Sequence, residues 1–378
     1  MEEKLKLYLR TMMKNGGSDL HLKASSQVRT RVHGVLKVIG QEKLTAPEVD
    51  KLAKEITTAE QYEKLVIDRN LDFSYVLPNE GRFRVNFFYQ LEGLSAVFRI
   101  IPIKILTLEE LNLPPVIATF TEIQRGLVLV TGVTGSGKST TLAAIIDKIN
   151  RENNKHIITV EDPVEFVHPD KGCLINQRGI GQDAHSFSDA LRAALREDPD
   201  IILVGEMRDL ETIDIALHAA NTGHLVFSTL HTLDAKETID RIVGMFGNEE
   251  QNRIRMSLAS VLEGVISQRL IPTIDGGRAA GIEVLKKTAF IEQLIAENRD
   301  AEIPDALADN KEIYGTQTFD QALLDLLRAK RITEEIALEY ASNPADMKLK
   351  MQGVGKGAIV QNKRDEDVAP EVFGFKEE

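Results

Sequence analysis

The sequence predicts an α/β protein in which a small N-terminal α+β domain precedes an α/β domain and a helical C-terminal part. Three observations predict it. Apolar and polar residues alternate in short runs over residues 1–101, as in half-buried strands. From 116 to 271, continuous apolar runs of strand length alternate with helical stretches, the pattern of buried parallel strands. From Glu249 on, the periodicity is mostly helical and ends near Tyr340.

Residues 2–14 read as a short helix with Leu5, Leu9 and Met12 among its apolar positions. Strands follow at Ser18–Leu22 and from Val28 to Ile39, the second broken by a turn at Gly34. Pro47 to Asp68 has a helical period, with proline in a plausible first turn. Strands return at Leu71–Leu77, Arg82–Tyr89 and Ala96–Ile101. Residues 102–115 form a proline-marked linker. Apolar runs at Leu127–Thr131, Ile157–Val160, Ile201–Val204 and Leu225–Ser228 supply the strands of the second domain, 116–271. Residues 272–350 read as mostly helical, and 351–378, mixing Gly, Pro and charge, as a flexible tail.

Composition narrows the function classes. The 378 residues suggest two or three domains at roughly 100–200 residues each. A single cysteine, Cys173, excludes an internal disulfide and a four-cysteine zinc site, and fits a reducing compartment. The balance of 46 basic and 58 acidic residues gives a net charge of −12. With aromatics at 5% and no Trp, neither a basic surface nor a base-stacking platform for nucleic acid is evident. No apolar run reaches the ~18–20 residues of a membrane span, and the acidic N-terminus lacks a signal-peptide layout. A cytoplasmic protein is expected.

The strand Leu127–Thr131 leads into Gly132-Val133-Thr134-Gly135-Ser136-Gly137-Lys138-Ser139-Thr140, and a helical pattern follows. This is GxxxxGK[ST] in its required setting of strand, loop and helix. The glycines let backbone N–H groups turn toward phosphate oxygens, and the helix N-terminus adds positive partial charge. Lys138 is placed to reach the β- and γ-phosphates, and the Ser139 hydroxyl suits Mg²⁺. Two acidic groups stand at strand ends, Glu161 after Thr159-Val160 and Glu206 after Ile201–Gly205. Ligands of open parallel sheets sit at the carboxyl ends of strands, so both glutamates are expected beside the phosphate loop. A helix or turn cap for Glu161 and a structural salt bridge for Glu206 are the alternatives. His224 and His231 lie at opposite ends of the next strand and cannot share a metal. His231 is the candidate γ-phosphate sensor, with a structural hydrogen bond as its alternative. Arg82 and Arg84 share one strand face, which reads either as a solvated surface or as a source of charge for the nucleotide.

Together these residues resemble the secretion ATPase superfamily, and within it the type IV pilus retraction ATPases of the PilT/PilU branch. The resemblance spans about residues 5–350. It rests on GSDLHL at 17–22, GRFRVN at 81–86, LTLEELNLP at 106–114, the phosphate loop, EDPVEF at 161–166, GEMRD at 205–209 and TGHLVFSTLHT at 222–232. It implies a PAS-like N-terminal domain, a RecA-like ATPase core and a homo-hexameric ring. ATP and Mg²⁺ would lie between the two domains of a subunit. By position, Glu206 is similar to the catalytic base, Glu161 to the acid near Mg²⁺ and the attacking water, and His231 to the γ-phosphate contact. Arg82, Arg84 and Arg99 match arginines that close on the phosphates. The implied partner is an inner-membrane pilus platform protein, with the ring recruited to the inner face of that membrane at the pilus base.

Relatives that drive assembly carry a tetracysteine zinc site, which one cysteine precludes here. PilT proteins carry an AIRNLIRE-type helix. The matching stretch, Ala289 to Glu297, has Glu292 and Ala296 at its two arginine positions. Gly315–Leu323 and Ala341–Lys350 resemble PilU more closely. The expectation is therefore a PilU-like accessory motor working with a PilT-type motor. The alternatives are a non-hydrolysing adaptor of such a motor and a divergent PilT.

Overall fold

The structure, a computed structural model, describes residues 1–32, 34–78, 80–101 and 104–353. The predicted linker lies partly, and the predicted tail almost wholly, outside the described residues.

The N-terminal domain is one antiparallel sheet with helices against it. Helix α1 (Glu2–Lys14) precedes β1 (Gly17–Lys23), β2 (Gln27–Val32) and β3 (Val35–Lys43). Helices α2 (Ala46–Ile56) and α3 (Ala59–Asp68) lead to β4 (Asn70–Leu77), β5 (Gly81–Gln90) and β6 (Gly93–Ile101). The strand order is β3-β2-β1-β6-β5-β4. Leu5, Leu9 and Met12 of α1 are buried in the same core as Phe83, Phe87 and Phe98. Phe87 and Phe98 meet edge to face at 6.3 Å, a favourable arrangement for ring quadrupoles.

The single helix predicted from Pro47 to Asp68 is two. Thr57 is extended, and the Thr58 hydroxyl accepts from the Gln61 amide while the Gln61 side chain accepts from the Thr58 amide. This reciprocal cap starts a new helix where the apolar period alone runs on.

The second domain opens with a single turn, α4 (Val116–Thr119), then β7 (Gly126–Thr131), α5 (Lys138–Glu152), β8 (His156–Glu161) and β9 (Leu174–Gly179). It continues with α6 (Phe187–Ala194), β10 (Ile201–Val204), α7 (Leu210–Asn221), β11 (Leu225–Leu230), α8 (Ala235–Gly244) and α9 (Asn248–Val261). A hairpin, β12 (Leu262–Pro272) and β13 (Arg278–Lys286), completes a sheet of order β13-β12-β7-β11-β10-β8-β9. All of its pairings are parallel except β12 with β13. Apolar side chains pack on both faces. Leu142, Ile145, Ile146 and Ile149 of α5 lie on one side, and residues of α6 to α10 lie on the other.

Two further features depart from the sequence expectation. The stretch after Glu249 is not continuously helical: β12 and β13 are long strands, and β13 lies past the predicted boundary at 271. Ser267 and Gln268 interrupt the apolar run of β12, yet both are buried and hydrogen-bonded. The edge strand β9 was not anticipated, because its sequence LINQRG is too polar to announce a buried strand. Beyond the sheet come α10 (Ala289–Ala296), α11 (Ile303–Asp309), α12 (Lys311–Tyr314), α13 (Phe319–Arg328), α14 (Glu334–Tyr340) and α15 (Pro344–Met351). Phe319, Leu323 and Leu324 of α13 form a small core with Ile271 of β12 and Met347 of α15. No helix among the described residues is long and apolar enough to cross a membrane.

Candidate active site

The carboxyl ends of β7, β8, β10 and β11 converge, as expected of a doubly wound sheet. A cleft of about 650 Å³ lies there, lined by Lys138, Ser139, Glu161, Glu206, His231 and Arg84 among others.

The loop Gly132–Gly137 depends on two glycines. Gly132 has φ +142°, and a Cβ there would stand 2.3 Å from the Gln268 carbonyl oxygen. Gly137 has φ +94°, and its Cβ would stand 2.6 Å from Gln268 Nε2. Both positions combine left-handed backbone with a close neighbour, so a side chain is excluded twice over. Gln268 also accepts from the Thr141 hydroxyl of α5 at 2.7 Å. It is thus a brace between β12 and α5, packed against the loop, that the sequence did not reveal, because a Gln inside a strand carries no motif.

Thr134, Gly135, Ser139 and Thr140 border the cleft, while Ser136 is buried and its hydroxyl has no partner among the described residues. Lys138 is the first residue of α5. Its ammonium donates to the Gly132 carbonyl at 2.7 Å and the Val133 carbonyl at 3.1 Å. Burial pulls its pKa below the usual lysine value, against the opposing pull of Glu206 and Glu165.

Glu161 ends β8. Its Oε1 accepts from the Thr159 hydroxyl at 2.6 Å and from Gln177 Nε2 at 3.2 Å. Burial raises its pKa, and these hydrogen bonds work in the other direction. Gln177 also donates to the Phe166 carbonyl and accepts from the His168 amide, both at 2.8 Å. It therefore locks the segment 161–168 as well as the carboxylate. Sequence reasoning missed Gln177 because it sits on the unrecognised strand β9, directly opposite Thr159.

Glu206 follows β10. Its oxygens lie 3.1 Å from His231 Nε2 and 2.7 Å from an Arg208 guanidinium nitrogen. The hydrogen bond to Glu206 raises the Arg208 pKa further. Hydroxyls of β11 anchor the backbone just before it: Ser228 donates to the Val204 carbonyl at 2.7 Å and Thr229 to the Gly205 carbonyl at 2.6 Å. His231 and Glu206, predicted separately, thus form one pair. His224 lies at the other end of β11, its ring nitrogen 3.0 Å from the Ala219 carbonyl.

The three N-terminal arginines separate. Arg84 lines the cleft together with the phosphate loop, although it is 54 positions before Lys138. Arg99 pairs with the nearly buried Asp19 at 2.7 Å. Arg82 is half-buried two residues from Arg84, and neither it nor Arg99 is among the cleft-lining residues. Arg278, at the start of β13, lines the cleft and was not anticipated.

A strand–loop–helix phosphate cradle and two carboxylates at the ends of neighbouring parallel strands define a P-loop ATPase. The family model described as type II/IV secretion system protein matches residues 1–360. This chain belongs to that family, in its PilT/PilU branch. It is 49% identical over 331 residues to the type IV pilus retraction ATPase PilT of Pseudomonas aeruginosa, covering 88% of this chain and 96% of that protein. It is 38% identical over 342 residues to the type IV pilus ATPase PilU of the same organism, covering 90% of this chain and 89% of that protein. Among solved structures, the pilus retraction motor PilT with bound ADP superposes with a TM-score of 0.84 at 42% identity, over 90% of this chain and 97% of that one.

Proposed function

We propose that this chain is the subunit of a homo-hexameric ring that hydrolyses ATP to power type IV pilus retraction, as an accessory motor beside a PilT-type motor. The observation that carries the ATPase chemistry is the gathering of Lys138, Glu161, Glu206, His231 and Arg84 around one cleft. The pilus assignment is supported by the similarity to the type IV pilus retraction ATPase PilT and the type IV pilus ATPase PilU.

In this reading ATP binds with its phosphates on the amides of residues 132–140. The buried Ser136 hydroxyl, without a partner among the described residues, and the inward Lys138 ammonium fit an anionic guest. Lys138 exchanges its two carbonyl contacts for the β- and γ-phosphates. Ser139 and Glu161, both lining the cleft, would hold Mg²⁺, which neutralises phosphate charge when bound. Glu206 takes a proton from the attacking water while His231 contacts the γ-phosphate. Arg84 brings positive charge from the N-terminal domain, so domain movement and phosphate contact are coupled. The ring works on an inner-membrane platform protein at the pilus base, from the cytoplasmic side, and is not a nucleic-acid enzyme.

Arg84→Ala is expected to lower turnover by ~10-fold or more while leaving the phosphate loop intact, the scale of losing one preorganised charge. Steady-state phosphate release together with nucleotide affinity measures it. Unchanged turnover would remove the N-terminal domain from the chemistry.

The accessory role rests on α10. Glu292 and Ala296 replace a basic pair, and Glu292 instead faces Lys287 at 3.6 Å. This helix lies past the strands that build the cleft, so its charge change leaves nucleotide chemistry alone and weakens coupling to the load. A second reading, a primary PilT-type motor, is favoured by the 49% identity to PilT against 38% to PilU. A strain carrying this protein as its sole retraction ATPase separates the two. Absence of retraction by microscopy, with ATPase activity in the purified protein, is the expected result. Normal retraction would establish the second reading, and no ATPase activity would point to a nucleotide-binding adaptor.

A further inference from the structure

Glu283, on β13, is a carboxylate buried away from the cleft, with only 7% of its surface exposed. Its Oε1 accepts from the Ala235 amide at 2.8 Å, the first N–H of α8. A buried carboxylate on a helix N-terminus satisfies an otherwise orphaned donor and meets the positive end of the helix dipole. Next to Glu283, Val284 exchanges two backbone hydrogen bonds with Gln317, at 2.9 and 3.2 Å, and so fastens β13 to the residues that lead into α13. The Phe319 ring lies against this same stretch of sheet. It covers the Arg269 guanidinium at 4.0 Å and packs so closely on Gly281 that a Cβ there would come within 2.9 Å.

The segment that Glu283 holds is the one that carries His231. Only Thr232, Leu233 and Asp234 separate His231 from α8. Those residues are stitched to the helix. The Thr232 and Thr238 hydroxyls are 2.7 Å apart, the Leu233 amide donates to Glu237 at 2.8 Å, and Asp234 caps the Glu237 amide at 2.7 Å. A displacement of the first turn of α8 therefore moves His231, whose imidazole stands 3.1 Å from Glu206.

We propose that Glu283 is a positioning residue that fixes the His231 segment through the Ala235 amide and ties it to the C-terminal helices through the start of α13. The inference rests on the proposed role of His231 in turnover. It gives the C-terminal helices, which lie outside the cleft, a physical route to the sensor. Movement of α13 shifts the environment of Glu283, and Glu283 holds the helix that follows His231.

The same carboxylate confers a pH dependence. Burial pushes the Glu283 carboxyl up to about 7. Of the charged groups facing it, Asp234 at the α8 cap raises it further and Arg269 on β12 lowers it. A carboxyl raised in the folded chain contributes stability that is full below its unfolded value. That contribution is lost as pH rises through about 7.

The test uses the full chain with three substitutions, assayed for ATP turnover against ATP concentration. E283L deletes the acceptor and is expected to lower kcat by ~10-fold, with KM for ATP held within about 2-fold, the pattern of a misplaced sensor rather than a lost binding group. E283Q keeps an acceptor oxygen without the titration. It is expected to stay within about 2-fold of the parent at pH ~6, and its turnover and melting midpoint should vary less than the parent's between pH ~6 and ~8. H231A reports on the underlying reading. Slow H231A with normal E283L would overturn this inference alone, whereas normal H231A would overturn the role of His231 and the inference with it. If E283L does not fold, an E283Q pH profile identical to the parent's overturns the proposal and a flattened one supports it.

Discussion

Lys138→Ala is expected to abolish ATP hydrolysis and to weaken nucleotide binding by ~10-fold or more. The side chain is the one cation that the phosphate loop itself contributes, and it lies almost wholly buried at the start of α5. Its ammonium stays inside the loop on the Gly132 and Val133 carbonyls at 2.7 and 3.1 Å, contacts that a phosphate would replace. Hydrogen bonds from a charged donor contribute about 1.5–3 kcal/mol each, more than one decade in affinity per bond. Charge that develops on the transferring phosphoryl group in the transition state depends on it further. The low dielectric that pulls the Lys138 pKa down is also what strengthens its attraction for a phosphate. Equilibrium binding of a fluorescent ATP analogue and phosphate release by the same preparation measure the two effects. Wild-type turnover in this variant would place the active site elsewhere.

Glu206→Gln is expected to leave ATP bound but to slow turnover by ~10²-fold or more, the scale of losing the general base proposed for it. The amide keeps the shape and one acceptor oxygen, so the contacts to Arg208 and His231 are partly retained. What it loses is the capacity to take a proton from water. The backbone under it is fastened by Ser228 and Thr229, so the substituted side chain stays in place and the loss is chemical. A matched fall in ATP affinity would instead mark Glu206 as a group that holds the nucleotide or its metal. Single-turnover kinetics beside equilibrium binding distinguishes the two.

Much of the candidate site is legible in the sequence. GxxxxGK[ST] announces itself because its backbone geometry is local: the glycines, the lysine and the helix start fall within nine residues. Glu161, Glu206 and His231 could be placed because continuous apolar runs mark buried parallel strands, and such strands present their next residues at a common edge. The pairing of His231 with Glu206 was not legible, because adjacency of β10 and β11 is a property of strand order. Arg84 could not be separated from Arg82 and Arg99 on the same grounds. All three lie on neighbouring positions of β5 and β6, and only the docking of that sheet on the second domain turns one of them into the cleft.

The sequence by itself determined the local chemistry: a phosphate loop, acids and a histidine at strand ends, and two domains of different periodicity. Those features depend on the repeat of a helix or strand and on the allowed backbone of glycine, which act over a few residues. The tertiary structure alone decided what supports them. Gln268 reaches Thr141 across 127 positions, Gln177 reaches Glu161 from an edge strand with no apolar signature, and β12 and β13 are held as strands although a helical period runs into them. A buried polar side chain is satisfied by whichever partner the fold brings within about 3 Å, and such partners leave no spacing in the chain to read.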